Sequence, residues 1–208
     1  MPEIQGMGSK GALLIQYPEY PIPKVIKFQY SPATMSRSFQ PFKSDPNSAG
    51  QNASSETFNI ANPPVETMSM DIELDATDKL EFPEKNPQTV SLGINPELSA
   101  LESLLYPKSS ITKSNSILAT LGVIEIVPSE GPSLFLVWGP NRLLPVSIST
   151  LSINEESYDS NLNPIRAKVS LTLKVLNYND LSKNHPAYSI YETHHKKLEK
   201  LASLLTEI

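Results

Sequence analysis

The stretch RAKVSLTLKVL (166–176) alternates without a break: Ala167, Val169, Leu171, Leu173 and Val175 fall on one side, Lys168, Ser170, Thr172 and Lys174 on the other. A period of two places the apolar set on one face of a strand and the polar set on the opposite face, the pattern of a half-buried antiparallel strand. A second stretch has the same grammar. In VETMSMDIELD (65–75), Met68, Met70, Ile72 and Leu74 alternate with Thr67, Ser69, Asp71, Glu73 and Asp75. One face belongs in a core, and the other meets water or a partner.

Working outward, SLFLVWG (133–139) and LLPVSISTLSINEESYD (143–159) read as further strands, as do SILATLGVIEIVP (116–128), 12–17 and 24–30. The last two are separated by PEYPIP and can form a pair. NPELSALESLLYP (95–107) has Asn95 in the capping position, Pro96 at the first helical position and a stripe of Leu98, Leu101, Leu104 and Leu105, which predicts a short helix packed on the sheet. The tail AYSIYETHHKKLEKLASLLTEI (187–208) places Tyr188, Tyr191, His195, Leu198, Leu201 and Leu205 near one helical stripe. Residues 36–64, rich in Ser, Asn and Pro with no sustained period, predict a long exposed loop.

The organisation expected is therefore a flexible arm at 1–9, a β domain at 10–181 and a helical tail at 182–208. The fold class is mainly β: an antiparallel, barrel-like sandwich with a flanking short helix and a C-terminal helix. Nineteen prolines against 8 glycines agree with short elements joined by stiff connections.

Composition excludes several functions. The 22 acidic and 17 basic residues leave a charge of −5, without the cationic footprint a nucleic acid requires. No run approaches the ~20 apolar residues that span a bilayer, so membrane insertion is not expected, and a cytoplasmic chain is. The absence of cysteine removes thiolate nucleophiles and thiolate metal sites. GMGSKG (6–11) spells a dinucleotide fingerprint but lacks the preceding strand and following helix, so Gly6, Gly8 and Gly11 read as part of the mobile arm. His194 and His195 point about 100° apart on a helix, which suits a solvated surface better than chelation. In the run Asp71-x-Glu73-x-Asp75, Ala76 replaces the glycine of a calcium loop. No Ser/His/Asp arrangement or paired carboxylates stand out, so neither enzyme, cofactor nor metal is expected.

Several stretches together resemble the tube-type proteins of contractile injection systems, relatives of contractile phage tails: KGALLIQY (10–17), FQYSPATMSRSF (28–39), PPVETMSMDIELDATDKLEF (63–82), NPELSALESLLYP (95–107) and the block 134–176, with W-G-x-N-R at 138–142, P-V-x-I-x-x-L-S-I at 145–153 and L-N-P-I-R-A-K-V at 162–169. The resemblance implies two antiparallel sheets closing into a barrel-like sandwich, assembled six to a ring. It also implies a role as inner tube, tube initiator or baseplate adaptor, in contact with itself, neighbouring rings, the spike or hub protein, and baseplate or sheath proteins. Larger members of that family carry a LysM module, and none is read here.

On this resemblance the work of the chain lies in interfaces. The candidate contact residues are Met35, Arg37 and Phe39 beside the 36–64 segment, Asp71, Glu73 and Asp75 on the polar strand face, and Asn163 and Arg166 in the 134–176 block. Tyr191, Leu198, Leu201 and Leu205 complete the set on the terminal helix. Two rival readings are a cell-wall hydrolase of the same particle, which needs a titratable pair in a cleft, and a stand-alone ligand- or cell-wall-binding β-sandwich. The second would expose loop aromatics, whereas aromatic residues are 7% of this chain.

Overall fold

The computed structural model describes residues 11–18, 20–30, 32–41, 62–107, 109 and 131–205. The expected strand at 116–128, the arm at 1–9 and most of the 36–64 segment lie outside the described residues. Seven strands are described: β1 (Gly11–Gln16), β2 (Lys24–Lys27), β3 (Met35–Gln40), β4 (Val65–Asp75), β5 (Ser133–Trp138), β6 (Arg142–Tyr158) and β7 (Pro164–Val175). With them come helices α1 (Thr77–Leu80), α2 (Pro87–Leu92), α3 (Asn95–Glu102) and α4 (Pro186–Ala202). The strands form one antiparallel sheet in the order β2-β1-β5-β6-β7-β4-β3.

The 17-residue β6 is long enough to serve two sets of partners. Its first residues, Arg142 to Val146, pair with β5, and Val146 to Tyr158 pair with β7. The two regions meet at Val146, and just beyond it, within the β7 pairing, a register irregularity falls between Ile148 and Thr150; such a bulge bends and twists the strand that carries it. β2-β1-β5 and β7-β4-β3 thus hang as two half-sheets from one bent strand. Their apolar faces meet. Leu13, Leu136 and Leu144 from one half and Met68, Ile72, Val169 and Leu173 from the other belong to a single buried cluster, which α3 completes with Leu98 and Leu101.

How far the sheet folds over is measured by Gln29. In a flat sheet β2 and β4 stand five spacings apart, about 24 Å at ~4.8 Å each. Gln29 lies two residues beyond β2, yet its amide donates to the Asp75 carbonyl at 2.7 Å and accepts the Asp75 N–H at 3.0 Å. Two residues extend the chain by at most about 7 Å, so only a sheet doubled on itself permits the contact. The class is mainly β, as the alternation predicts. Among the described residues the ladder does not close, however: β2 and β3 are its terminal strands, and side chains rather than strand pairing hold the two ends together.

Both alternating stretches fold as their period dictates. Met68, Met70, Ile72 and Leu74 are buried on β4, as are Ala167, Val169, Leu171, Leu173 and Val175 on β7. Other expectations require correction. The segment expected as a loop from residue 36 starts as strand β3, which pairs with Val65–Met70 of β4; a short edge strand bearing Ser, Arg and Gln lacks the apolar alternation that would betray it. Gly11 is no part of a loose arm, because it opens β1 and is buried. A Cβ there would stand 2.6 Å from the Phe28 ring and 2.8 Å from Trp138.

In α3, Asn95 is the first helical residue rather than the cap, its amide is turned toward Asn163, and Ile94 N–H donates to the Pro164 carbonyl at 2.8 Å. Leu98 and Leu101 are buried, but the tighter 3₁₀ turn at Ser103–Leu105 rotates Leu105 out of the stripe into solvent. The α1 and α2 turns between β4 and α3 carry no apolar period and were not foreseen.

Candidate assembly interfaces

Three surfaces collect the residues singled out from the sequence: the outer face of the β4–β7 half, the β3 edge with the helix α4 beside it, and the tip of the β6–β7 hairpin.

On the outer face, Thr67, Ser69, Asp71 and Glu73 stand opposite Lys174, Thr172, Ser170 and Lys168 of β7. Asp71 accepts from Ser170 at 2.7 Å and pairs with Lys168 at 3.0 Å. The Ser170 hydroxyl and then Lys168 hold its carboxyl below the ordinary value. Ser69 and Thr172 share a hydrogen bond at 3.2 Å. The face is hydroxyl-rich, and part of its charge is neutralised within it. Asp75 is different from its alternating partners. It is 8% exposed, accepts the Thr77 N–H at 2.7 Å and is bridged by Arg166, whose Nε donates at 2.8 Å. Burial opposes ionisation of Asp75, but the bonds from Thr77 and Arg166 outweigh it and lower its pKa. Asp75 and Arg166 are therefore engaged inside their own chain.

The β3 side chains at Met35, Arg37 and Phe39 point the same way as Met70, Met68 and Glu66 of β4. Arg37 donates from Nε to the buried Glu66 at 2.7 Å and lies 4.8 Å above the Phe39 ring, which is half exposed. Met35 offers its sulfur to Arg142 at 3.7 Å. That thioether is a weak acceptor, and Arg142 makes no ion pair among the described residues. Burial, followed by the Arg37 charge, lowers the pKa of Arg142.

Helix α4 lies along this mouth, capped by His185, whose Nδ1 accepts the Ala187 N–H at 3.1 Å. The stripe that docks is turned by one residue from the expected one: His194, not His195, is buried. The expectation of a solvated histidine pair is thereby corrected. His195 meets the Tyr178 hydroxyl at 3.2 Å, whereas His194 Nε2 has no hydrogen-bond partner among the described residues. Burial, then Arg142 and Arg37, depress the His194 pKa and keep the ring neutral. Tyr191 is half-buried, edge-on to Tyr178 at 4.9 Å between centroids. Leu198, Leu201 and Leu205 are 44%, 53% and 81% exposed. Leu198 and Leu201, with Trp138, Arg37, Arg142 and His194, wall a groove of about 240 Å³. Lys197 also borders it and donates to Asn141 at 2.8 Å.

At the far end of β6, Asn163 is wholly occupied. Its N–H and amide donate to the two oxygens of Asp159 at 2.8 and 2.9 Å, and its amide also reaches the Ser91 carbonyl at 3.2 Å. Those bonds lower the Asp159 pKa. Gly93, at φ 58°, makes this junction possible, since a Cβ there would fall 2.1 Å from the Pro164 carbonyl oxygen. Sequence reasoning overlooked the neighbour that matters most here: Leu162, at φ 63° and 79% exposed. A leucine followed by Asn-Pro inside a tight turn is the signal that was available.

Among the described residues no three His, Asp or Glu side chains converge to hold a metal, and no helix is long and apolar enough to cross a membrane. What the geometry defines is a mainly β domain whose distinctive features are edges and surfaces. The chain belongs to the contractile injection system tube protein family, whose model matches residues 16–184, from the end of β1 to the turn before α4. No curated protein matches the chain. Membership makes it a structural tube component that assembles with other proteins of such a particle.

Proposed function

We propose that this chain forms a hexameric ring of the inner tube, or the tube-initiator ring that joins the tube to the spike and baseplate, assembled in the bacterial cytoplasm. The observation that carries the reading is the pair of strands, β2 and β3, that are terminal among the described residues of a doubled sheet in a member of the tube family. Unpaired strand edges are templates for another chain, and a ring requires a head-to-tail contact that closes by rotation. The hydroxyl-rich outer face around Ser69, Asp71, Glu73, Ser170 and Thr172 suits the wall of a water-filled conduit. Its charges are partly satisfied within it, so it has little hold on passing cargo.

In this role the subunit transfers load while the sheath contracts, and it performs no catalysis. The test is affinity capture of the tagged chain from its native host, followed by mass spectrometry. Co-purification of sheath, tube and spike proteins in particle proportions supports the reading, and a copy number far below that of sheath assigns it to the baseplate. Recovery of the chain alone would return it to the class of stand-alone binding sandwiches.

A further inference from the structure

The two ends of β6 carry surfaces of opposite character. At its start, the groove is apolar at Trp138, Leu198 and Leu201 and bordered by the cations of Arg37, Arg142 and Lys197. Glu66, whose charge reaches Arg142, is already bonded to Arg37. At its end, the hairpin tip presents Leu162, with Tyr158 half exposed and, on the same hairpin, the exposed acids Glu155, bonded to the Tyr158 hydroxyl, and Glu156, which also feels the cations of Arg166 and Lys168. The tip is rigid. Asp159 accepts the N–H groups of both Asn161 and Asn163 at 2.8 Å, and this clamp fixes the turn in which Leu162 takes a left-handed backbone. That conformation is unfavourable for a branched side chain and is tolerated where the surroundings dictate it. Here the result is an aliphatic side chain held out in water.

We propose that Leu162 is a knob that seats in the groove between β3, the β5–β6 turn and α4 of a second copy of this chain, with Glu155 and Glu156 facing its Arg142 and Lys197. This deepens the ring reading and rests on it. Shape permits the contact: the groove, about 240 Å³, exceeds the roughly 150 Å³ of an engineered cavity that accepts benzene. Charge favours it, since an acid-flanked apolar knob meets a cation-flanked apolar groove. Topology makes it directional. Knob and groove sit at opposite ends of a 17-residue strand, so one copy cannot satisfy itself, and each bound copy offers a free knob and a free groove to the next.

The chain has no cysteine, so the test can be specific. A Leu162→Cys/Leu201→Cys variant, assembled and then mildly oxidised, is expected to give a covalent ladder extending beyond dimers. Each single variant must stop at dimers, because a disulfide needs Cα atoms within about 7 Å and each copy then has one thiol. In a second arm, Leu162→Asp should raise the concentration needed for assembly roughly tenfold or more, as expected for loss of a buried leucine. Glu156→Lys should weaken assembly, and Arg142→Glu added to it should recover part of the loss. Far-UV circular dichroism establishes that each variant is folded. If the unmodified chain forms rings and the double-cysteine variant gives no more than the single ones, this contact is wrong and the ring reading survives. If the unmodified chain remains monomeric at every concentration, both fall. Cross-linking of Leu162→Cys to another particle protein, but never to a second copy, overturns the assignment of the partner.

Discussion

The side-chain amide of Gln29 bonds to both the N–H and the carbonyl of Asp75, the two backbone groups that a neighbouring strand would have taken. A side chain thus stands in for a strand at the point where the sheet doubles over. Gln29→Ala leaves both backbone groups without that partner, which costs on the order of 1–3 kcal/mol. Chemical denaturation should show a lower midpoint, and hydrogen exchange should quicken at residues 74–76 before it does in β7. Unchanged exchange there would mean that packing alone holds the fold over.

Asp75 also anchors Arg166 and the first turn of α1 through Thr77. Its carboxyl pKa is lower folded than unfolded, so the stability it supplies is complete above the unfolded value of about 3.9 and is lost as the pH falls through the folded value. Melting temperature should drop on acidification below about pH 4. In Asp75→Asn the plateau should already be lower and the acid limb shallower. Arg166→Ala should cost less, because the guanidinium is half exposed.

His194 has the opposite charge type and the same sign of linkage. Its folded pKa lies below the ordinary value near 6.5, so the unfolded chain binds the proton first and stability falls as the pH drops from about 6.5 toward the folded value. His194→Leu should remove that slope between pH 7 and pH 5. Hydrogen exchange in α4 is the direct reporter, and a slope that persists in the variant would trace the effect to another group.

Gly11 faces Phe28 and Trp138 at distances no Cβ can occupy. Gly11→Val should destabilise by about 1–3 kcal/mol through overpacking. Because Trp138 is the single tryptophan, its emission should shift as the contact with Phe28 is pushed apart.

Much of the interior was legible because β4, β5, β6 and β7 announce themselves by alternation or apolar weight, and burial follows from the period. The edge strand β3 was not, since an edge buries little and Met-Ser-Arg-Ser-Phe-Gln carries almost no apolar contrast. Asp75 is buried against the phase of β4, and Glu66 is a charged side chain in the buried phase; both are compensated by ion pairs with residues 91 and 29 positions away, which local sequence does not show. The phase of α4 was misread by one residue for a similar reason. Its docking face includes a histidine whose pKa is lowered first by burial and then by the cations of β6 and β3, which local sequence does not disclose. Leu162 was passed over because exposure, not identity, makes it unusual.

The strand order has a consequence in time. β1 finds its central partner β5 only after residue 133 has been made, and β4 waits for β7, about a hundred residues later. On a ribosome adding residues from the N-terminus, the β1–β2 and β3–β4 hairpins emerge with bare apolar faces, and the strands that join them arrive last. Such distant pairings close slowly and leave edges open to other chains meanwhile. Nascent copies crowded on one message therefore stand at greatest risk of joining wrongly in the interval before β6 appears, when each has edges to offer and no centre to fold around.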